Sequence, residues 1–387
     1  MLIEIKGVQF VNKGAALMLE AIRDRLRRAL PEAEIALTPG VNAPFQSIAK
    51  FGAWHRFSAP GAPLDLDALS YRLPQRARGL MRRYGIVTES DVDAVLDASG
   101  FAYGVAWGHA ALAGTARELT RLARHGKPYV FLPQAFGPFD DSAATRRFAR
   151  ALDSAALVCV RDARSREHLA SIAPTLGERL AVVPDVTIGF AGSSESAARH
   201  GVDARTALIV PNVHMQDERN PDAAWRRGYL PLLTALARHL AGRGFAVRIV
   251  NHAGTADAAL CAALAEATGS CPVISEPDPL ALKGVLGGAG LVVSSRYHGC
   301  VNALSQAVPC FGTAWSHKYA ALFDDFGAGG QLLASCDVAA GLRALDDVLD
   351  SRDAVAARLS AARPALVARV DAVWTRVFDA LRPVAAD

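Results

Sequence analysis

Short apolar runs alternate with longer stretches in which apolar positions recur every third or fourth residue, and the alternation continues through most of the chain. This is the pattern of βαβ units around parallel sheets, whose strands are buried on both faces and so read as unbroken apolar runs. Strands are predicted at LIEIK, EIALT, DAVLDAS, PYVFLPQ, ALVCV and LAVVPD, with helices over AALMLEAIRDRLRRAL, WGHAALAGTARELTRLARH and DSAATRRFARAL. After Asp185 the chain passes through AGSSESAARHGVDA, a polar stretch of small residues that reads as an interdomain linker. A second series follows: strands at TALIVP, FAVRIVN, PVISE, LVVSS and VPCFGT, and helices over LPLLTALARHLAGRG, TADAALCAALAEAT, LALKGVLGGA and GCVNALSQAV.

The expected architecture is α/β, with two doubly wound Rossmann-like domains facing a cleft, an N-terminal one over 1–190 and a C-terminal one over 205–335. Residues 336–387 should add C-terminal helices, two of them between about 337 and 383. Residues 41–90, rich in Pro, Gly and Arg, break the rhythm and are expected to form a loop or short-helix insertion.

Composition narrows the partners. The chain has 387 residues, 51% hydrophobic and 21% charged, enough apolar mass for two cores. Its 42 basic residues are scattered among 38 acidic ones, leaving a net charge of +4. No basic block is interleaved with aromatics, which argues against nucleic acid but leaves room for a small anion held by local charge. The six cysteines form no CxxC pair and lie mostly in apolar runs, as expected in a reducing cytoplasm. MLIEIKGVQF is too short and too charged for a signal peptide, and no apolar stretch approaches the ~18 residues of a membrane span. A soluble protein is expected, with contact to a membrane surface left open.

In open α/β sheets, ligands bind beyond the carboxyl ends of the strands, where helix N-termini present unpaired N–H groups. SSRYHG sits at such a strand-to-helix turn. Arg296 offers a planar cationic fork for a carboxylate or phosphate, and His298 offers a donor or proton carrier near neutral pH. The next strand, VPCFGT, leads into AWSHKY, so His317 and Lys318 should arrive at the same sheet edge and complete a cationic site for a small anion. In the first half VRDARS repeats the design with Arg161. Further strand-end polar residues are Gln134, Asp185, Asn212 and His214, each of which alone is more often a turn or capping residue, and it is their shared place at strand ends that raises them. Asn12 and Gly14 lie in a tight turn before the first helix, where neither a GxxxxGK[ST] loop nor a GxGxxG fingerprint is present. DASGFAYG is a glycine-bearing strand exit whose aromatics suit a sugar ring. No cluster has metal-ligand spacing, so no obligatory metal or other cofactor is expected.

Taken in order, NKGAALML, DASGFAYG, KPYVFLPQAFGPF, VRDARS, VVPDV and SSRYHGCVNALSQAVPCFGTAWSHKY make the chain resemble the polysaccharide pyruvyl transferase family from about residue 1 to about residue 330. The resemblance implies a fold of the glycosyltransferase-B type. It also implies transfer of the enolpyruvyl group of phosphoenolpyruvate onto a sugar, forming a pyruvate ketal. The family's essential arginine, histidine and lysine fall on Arg161, His298 and Lys318. Arg296 and His317 are added from position. On this reading Arg296 and Lys318 hold the anions, His298 is the general acid or a phosphate donor, Arg161 completes the anion site, and Asp185 is a candidate base for a sugar hydroxyl.

The acceptor would be a saccharide or lipid-linked saccharide of a surface polysaccharide, met at the inner membrane face. Neither the sugar nor the oligomeric state is written in the sequence. Two other functions share the fold. A nucleotide-sugar glycosyltransferase would need an acidic residue for the ribose, for which only Glu276 and Asp278 offer themselves. A non-catalytic glycan-assembly protein would have no need of both His298 and Lys318.

Overall fold

The structure, a computed structural model, describes residues 1–59, 64–314, 316 and 318–382. The chain divides into two compact units. The first comprises Met1–Phe10, Met18–Val183 and the C-terminal end from Asp371, and the second comprises Val11–Leu17 and Pro184–Val370.

In the first unit the strands are β1 (Leu2–Lys6), β2 (Glu34–Leu37), β3 (Trp54–Arg56), β4 (Ile86–Val87), β5 (Ala94–Asp97), β6 (Phe101–Tyr103), β7 (Tyr129–Phe136), β8 (Leu157–Val160) and β9 (Leu180–Val182). They form a parallel sheet in the order β4-β3-β2-β1-β5-β7-β8-β9, with β6 alongside β7. All eight residues of β7 are buried, which is why YVFLPQAF reads as one apolar run. The helix His109–Arg124 turns Leu112, Leu119 and Leu122 into the core against Val95, Phe131 and Phe148.

Residues 41–90 depart from the expected insertion. They contain helices at Phe45–Phe51 and Gln75–Arg83, but β3 and β4 also extend the parallel sheet at its edge. These strands have three and two residues, too few to show a period, and β3 carries a buried arginine where an apolar residue would be expected. Arg56 is 2% exposed and binds Glu4 at 3.1 Å, Asp67 at 2.7 Å and Glu89 at 2.9 Å, and Glu89 also accepts from Arg121 Nε at 2.5 Å. Buried carboxylates survive in such a place only if they are paired.

The second unit contains β10 (Thr206–Val210), β11 (Ala246–Val250), β12 (Val273–Ile274), β13 (Leu291–Ser294), β14 (Cys310–Thr313) and β15 (Leu332–Leu333). They form a parallel sheet in the order β12-β11-β10-β13-β14-β15. Helices cover both faces, so neighbouring β13 residues point into different cores: Val292 packs with Leu282, Leu304 and Phe323, and Val293 with Trp225, Leu236 and Leu264. Asp222, Asp278 and Asp337 each cap a helix by accepting backbone N–H groups, which fixes where Ala223–Gly242, Pro279–Gly287 and Val338–Asp350 begin.

The stretch read as a linker is packed structure. Ser193 donates its backbone N–H to Leu280 O at 3.0 Å, Ser196–Arg199 is a helical turn with Ser196 and Ala197 buried, and Gly192 lies against the backbone of Gly284. Small residues serve close approach here, not flexibility. The units divide instead between Val183 and Pro184, and Val11–Leu17 groups with the second. The tail forms the helices Val338–Asp350 and Arg352–Leu381.

Replacing Arg56 by Leu strips the buried carboxylates Glu4 and Glu89 of a partner, so a loss of about 3–5 kcal/mol is expected. Denaturant unfolding of the variant checks this, and a loss below about 1 kcal/mol would show that the network does not hold this edge.

Candidate functional site

In the second unit the turn after β13 is fixed before any ligand is considered. Ser295 Oγ bonds the Tyr229 hydroxyl at 2.6 Å and Thr313 Oγ1 at 2.7 Å, and its carbonyl accepts from Asn212 Nδ2 and the Tyr319 hydroxyl, each at 2.9 Å. Ser294 Oγ accepts the Arg296 N–H at 3.2 Å and donates to the Arg296 carbonyl at 3.0 Å. Gly299 follows because any Cβ there would overlap Ser294 Oγ. The sequence SSRYHG is therefore a rigid mount, and the helix Tyr297–Leu304 that it starts carries His298 in its first turn.

Among the described residues, the His298 ring meets a carboxylate on one side and a glycine on the other. Its Nε2 lies 3.4 Å from Asp185 Oδ2, and Asp185 is fully buried, with Oδ1 accepting the Thr187 N–H at 2.9 Å and its hydroxyl at 2.6 Å. On the Nδ1 side the ring abuts Gly14, where an added Cβ would come within 2.8 Å of His298 Cβ and nearer still to the ring. Gly14 is in place because Asn12 Oδ1 accepts its N–H at 3.0 Å at the start of the helix Lys13–Ala29. The carbonyl of Thr187 accepts from Lys283 Nζ at 2.7 Å. Burial pushes the Lys283 ammonium down to about pKa 7, against the opposing pull of Asp185, with Arg363 lowering it further.

Arg296 differs from expectation. Its fork is not open: Nε donates to Asp257 Oδ2 at 2.8 Å and a terminal nitrogen donates to Oδ1, a bidentate pair buried beneath the site. Asp257 also accepts the Val213 N–H at 3.1 Å. The second terminal nitrogen of Arg296 is outside this pair. His252, just past the end of β11, is 1% exposed, and its carbonyl accepts the Lys13 N–H at 3.3 Å. Burial, then the charges of Arg296, His298 and Lys13, holds its imidazole well below the usual histidine range.

Lys318 opens the helix Lys318–Asp325 with Nζ 5.1 Å from the Tyr297 ring centroid, and that ring lies edge-on to His298 at 5.5 Å. His317 lies outside the described residues. Asn212 has a structural task, since its Oδ1 accepts the His214 N–H at 3.1 Å while its amide holds Ser295. His214 Nδ1 meets Asp217 at 2.7 Å, and burial lowers its pKa despite that carboxylate.

In the first unit Arg161 and Gln134 come together: the Arg161 N–H donates to Gln134 O at 3.1 Å, and the guanidinium, 4% exposed, reaches Met18 Sδ at 3.1 Å. The remainder of VRDARS is a cap, with Asp162 accepting the Ser165 N–H at 2.6 Å and its hydroxyl at 2.8 Å. DASGFAYG behaves differently from the sugar-stacking surface expected of it. Tyr103 is buried with Phe136 and Phe148, and its hydroxyl and that of Tyr129 donate to Asp97. Of the two aromatics in this stretch, Phe101 remains partly exposed, packed edge-on against Trp107. At the carboxyl ends of β1, β2 and β3 lies a cavity of about 550 Å³ whose lining includes Lys6, Thr38, Arg56, Asp67, Glu118 and Arg121.

The class follows from these two parallel sheets: the chain has the fold of glycosyltransferase-B type enzymes and related epimerases. It resembles UDP-GlcNAc 2-epimerase from Neisseria meningitidis at TM-score 0.58 and 9% identity, covering 98% of this chain and 99% of that one. Trehalose 6-phosphate synthase from Burkholderia multivorans gives 0.53 at 12%, covering 99% and 98%. A UDP-glucose:anthocyanidin 3-O-glucosyltransferase gives 0.51 at 11%, covering 98% of each. At such identities the likeness concerns fold alone. The sequence goes further, for the model of the family described as polysaccharide pyruvyl transferase matches residues 12–317, and the chain belongs to that family, a family of transferases. No curated protein matches it by sequence search.

Sequence reasoning missed Lys13, His252, Asp257 and Lys283. His252 was within reach, since NHAG follows an apolar run just as VPNVH and SSRYHG do. Asp257 and Lys283 lie inside helical patterns, where nothing local marks a buried partner.

Folded Lys283 releases its proton near pH 7, whereas the unfolded chain keeps it until about pH 10.5. Stability should therefore rise with pH across that window, by an amount on the order of 4 kcal/mol at most from this group. The rise should disappear in Lys283→Met when unfolding of the two proteins is compared from pH 6.5 to 10, and parallel profiles would contradict the burial of a titrating lysine.

Gly14→Ala should displace the His298 ring from Asp185, visible as a shift of its ring-nitrogen resonances. Unchanged resonances would show that the contact has slack.

Proposed function

We propose that the protein transfers the enolpyruvyl group of phosphoenolpyruvate onto two hydroxyls of a saccharide in a surface polysaccharide or its lipid-linked precursor, forming a pyruvate ketal. The observation that carries this reading is the mounting of His298, in a chain of this family, between the Asp185 carboxylate and the Gly14 backbone, with Lys318, Lys13 and Arg296 as surrounding cations. Phosphoenolpyruvate carries a phosphate and a carboxylate, and such a ligand calls for fixed positive charge.

The reaction adds a proton to the methylene carbon, giving a methyl group and cationic character at the central carbon. One sugar hydroxyl adds there, the carbon–oxygen bond to phosphate breaks, and a second hydroxyl closes the ketal. Of the two hydroxyl protons released, one balances that taken up by carbon and the other leaves with phosphate. His298 is suited to move a proton because Asp185 faces one ring nitrogen and stabilises the imidazolium, leaving the Nδ1 side toward Gly14. Lys318 supplies charge to the departing phosphate, and Arg296, with two donors tied to Asp257, contributes its field and its remaining N–H groups.

Arg161 enters the reading through its family motif, as the arginine of VRDARS. The polar cavity of the first unit suits a hydroxyl-rich acceptor. The chemistry needs no metal, since lysine and arginine meet the phosphoryl charge. Among the described residues no helix is long and apolar enough to cross a membrane. A lipid-linked acceptor would be met at the inner membrane face. A nucleotide-sugar reading finds less support: Glu276 bonds His200 at 2.9 Å and the Asp278 N–H at 3.0 Å, and Asp278 caps a helix, so neither carboxylate is kept for a ribose.

Phosphoenolpyruvate at about a hundred times its dissociation constant should stabilise the protein by roughly 2.7 kcal/mol, a shift of several degrees, and UDP-GlcNAc should not. His298→Gln should retain the fold and lose turnover by at least about a hundredfold. A response to UDP-GlcNAc alone, or near-normal turnover in the variant, would overturn the reading.

A further inference from the structure

His252 is the side chain that the reaction as described leaves unused. It stands on the carboxyl edge of the second sheet, and its carbonyl is tied to Lys13, the residue before the glycine that abuts His298. Gly254, two residues on, brings the same loop to Val11, where an added Cβ would make an ordinary 3.4 Å contact. The loop and the NKG turn are thus packed together on the site side of the unit.

Neither ring nitrogen of His252 bonds to any described protein group, although the residue is 1% exposed. Buried polar atoms in folded proteins are nearly always satisfied, and one that is not calls for a specific account. Burial first, and then the charged groups that reach this ring, Arg296, His298 and Lys13, all cationic or able to become so, hold the imidazole toward its neutral form. A neutral imidazole still has one N–H to donate, and cations cannot receive it. An anionic oxygen can, and it would be attracted by the same three neighbours.

We propose that His252 is a ligand-binding residue that donates its ring N–H to an oxyanion of phosphoenolpyruvate at the His298 site. The inference rests on the function proposed above and adds a residue to it. A cation at this position would repel its neighbours in the empty site, whereas a neutral donor recognises the anion without that cost. A histidine that merely filled the core would have its nitrogens paired within the protein, and replacing it would weaken the fold while leaving ligand affinity alone.

Those alternatives separate in His252→Leu, which is similar in volume and has no polar atom, and His252→Gln, which keeps a donor. Thermal unfolding without ligand should be unchanged or raised in His252→Leu, because an unsatisfied buried group has been removed. Its dissociation constant for phosphoenolpyruvate, measured by calorimetric titration, should rise at least about tenfold, with His252→Gln recovering much of the loss. In the wild type, ligand addition should shift the His252 ring-nitrogen resonances, a readout that does not depend on either variant folding. Wild-type binding with equal affinity in His252→Leu, or resonances unmoved by saturating ligand, would overturn the assignment alone. Absence of phosphoenolpyruvate binding to the wild type would overturn the proposed function and this inference together.

Discussion

A histidine ring confined between a buried carboxylate and a glycine backbone is the constraint around which the second unit's candidate site is arranged. The Asp185 carboxylate is held by the N–H and hydroxyl of Thr187, whose carbonyl in turn takes a hydrogen bond from the buried Lys283. Gly14 closes the opposite side, and only a residue without a Cβ can stand there. Asp185 and Gly14 are both far from His298 in sequence, so the sheet and its caps must be complete before the ring has one position. In the proposed function, electrostatic preorganisation of this kind would spare the ring from reorganising during the reaction.

The same economy of fixed parts explains Arg296. A bidentate pair with Asp257 offsets the burial of both charges and orients the guanidinium, so in the proposed function Arg296 would offer an anion a directed field with few remaining donors. Lys13 and Lys318 stand instead at helix starts, where the helix N-terminus also favours an anion. Parallel topology is what brings Arg296 and Lys318 together, since β13 and β14 deliver their carboxyl ends to one edge of the sheet.

Much of this was legible in the sequence. Parallel strands buried on both faces leave unbroken apolar runs, so LVVSS, FAVRIVN and PYVFLPQ announced themselves, and the turn residues after them marked the working edge. The resemblance carried by SSRYHG and VRDARS agrees with the family match. What escaped has physical reasons. β3 and β4 are too short for periodicity, and the arginine in β3 disguises an edge strand stabilised by ion pairs. Small residues in AGSSES imply either flexibility or close packing, and only the tertiary structure, in which Gly192 meets Gly284, tells which. The partners of Arg296 and His298 are set by contacts across the fold that no local pattern encodes, and Tyr103 has the composition of a sugar platform but the place of a core residue.

The measurement that tests the central claim most directly is a crystal structure of the protein bound to phosphoenolpyruvate. The account predicts density for the ligand against the His298 imidazole, with its anionic groups within hydrogen-bond reach of Lys318 or Lys13 and of the His252 ring. Ligand bound away from His298, or bound there with none of these cations in contact, would contradict it.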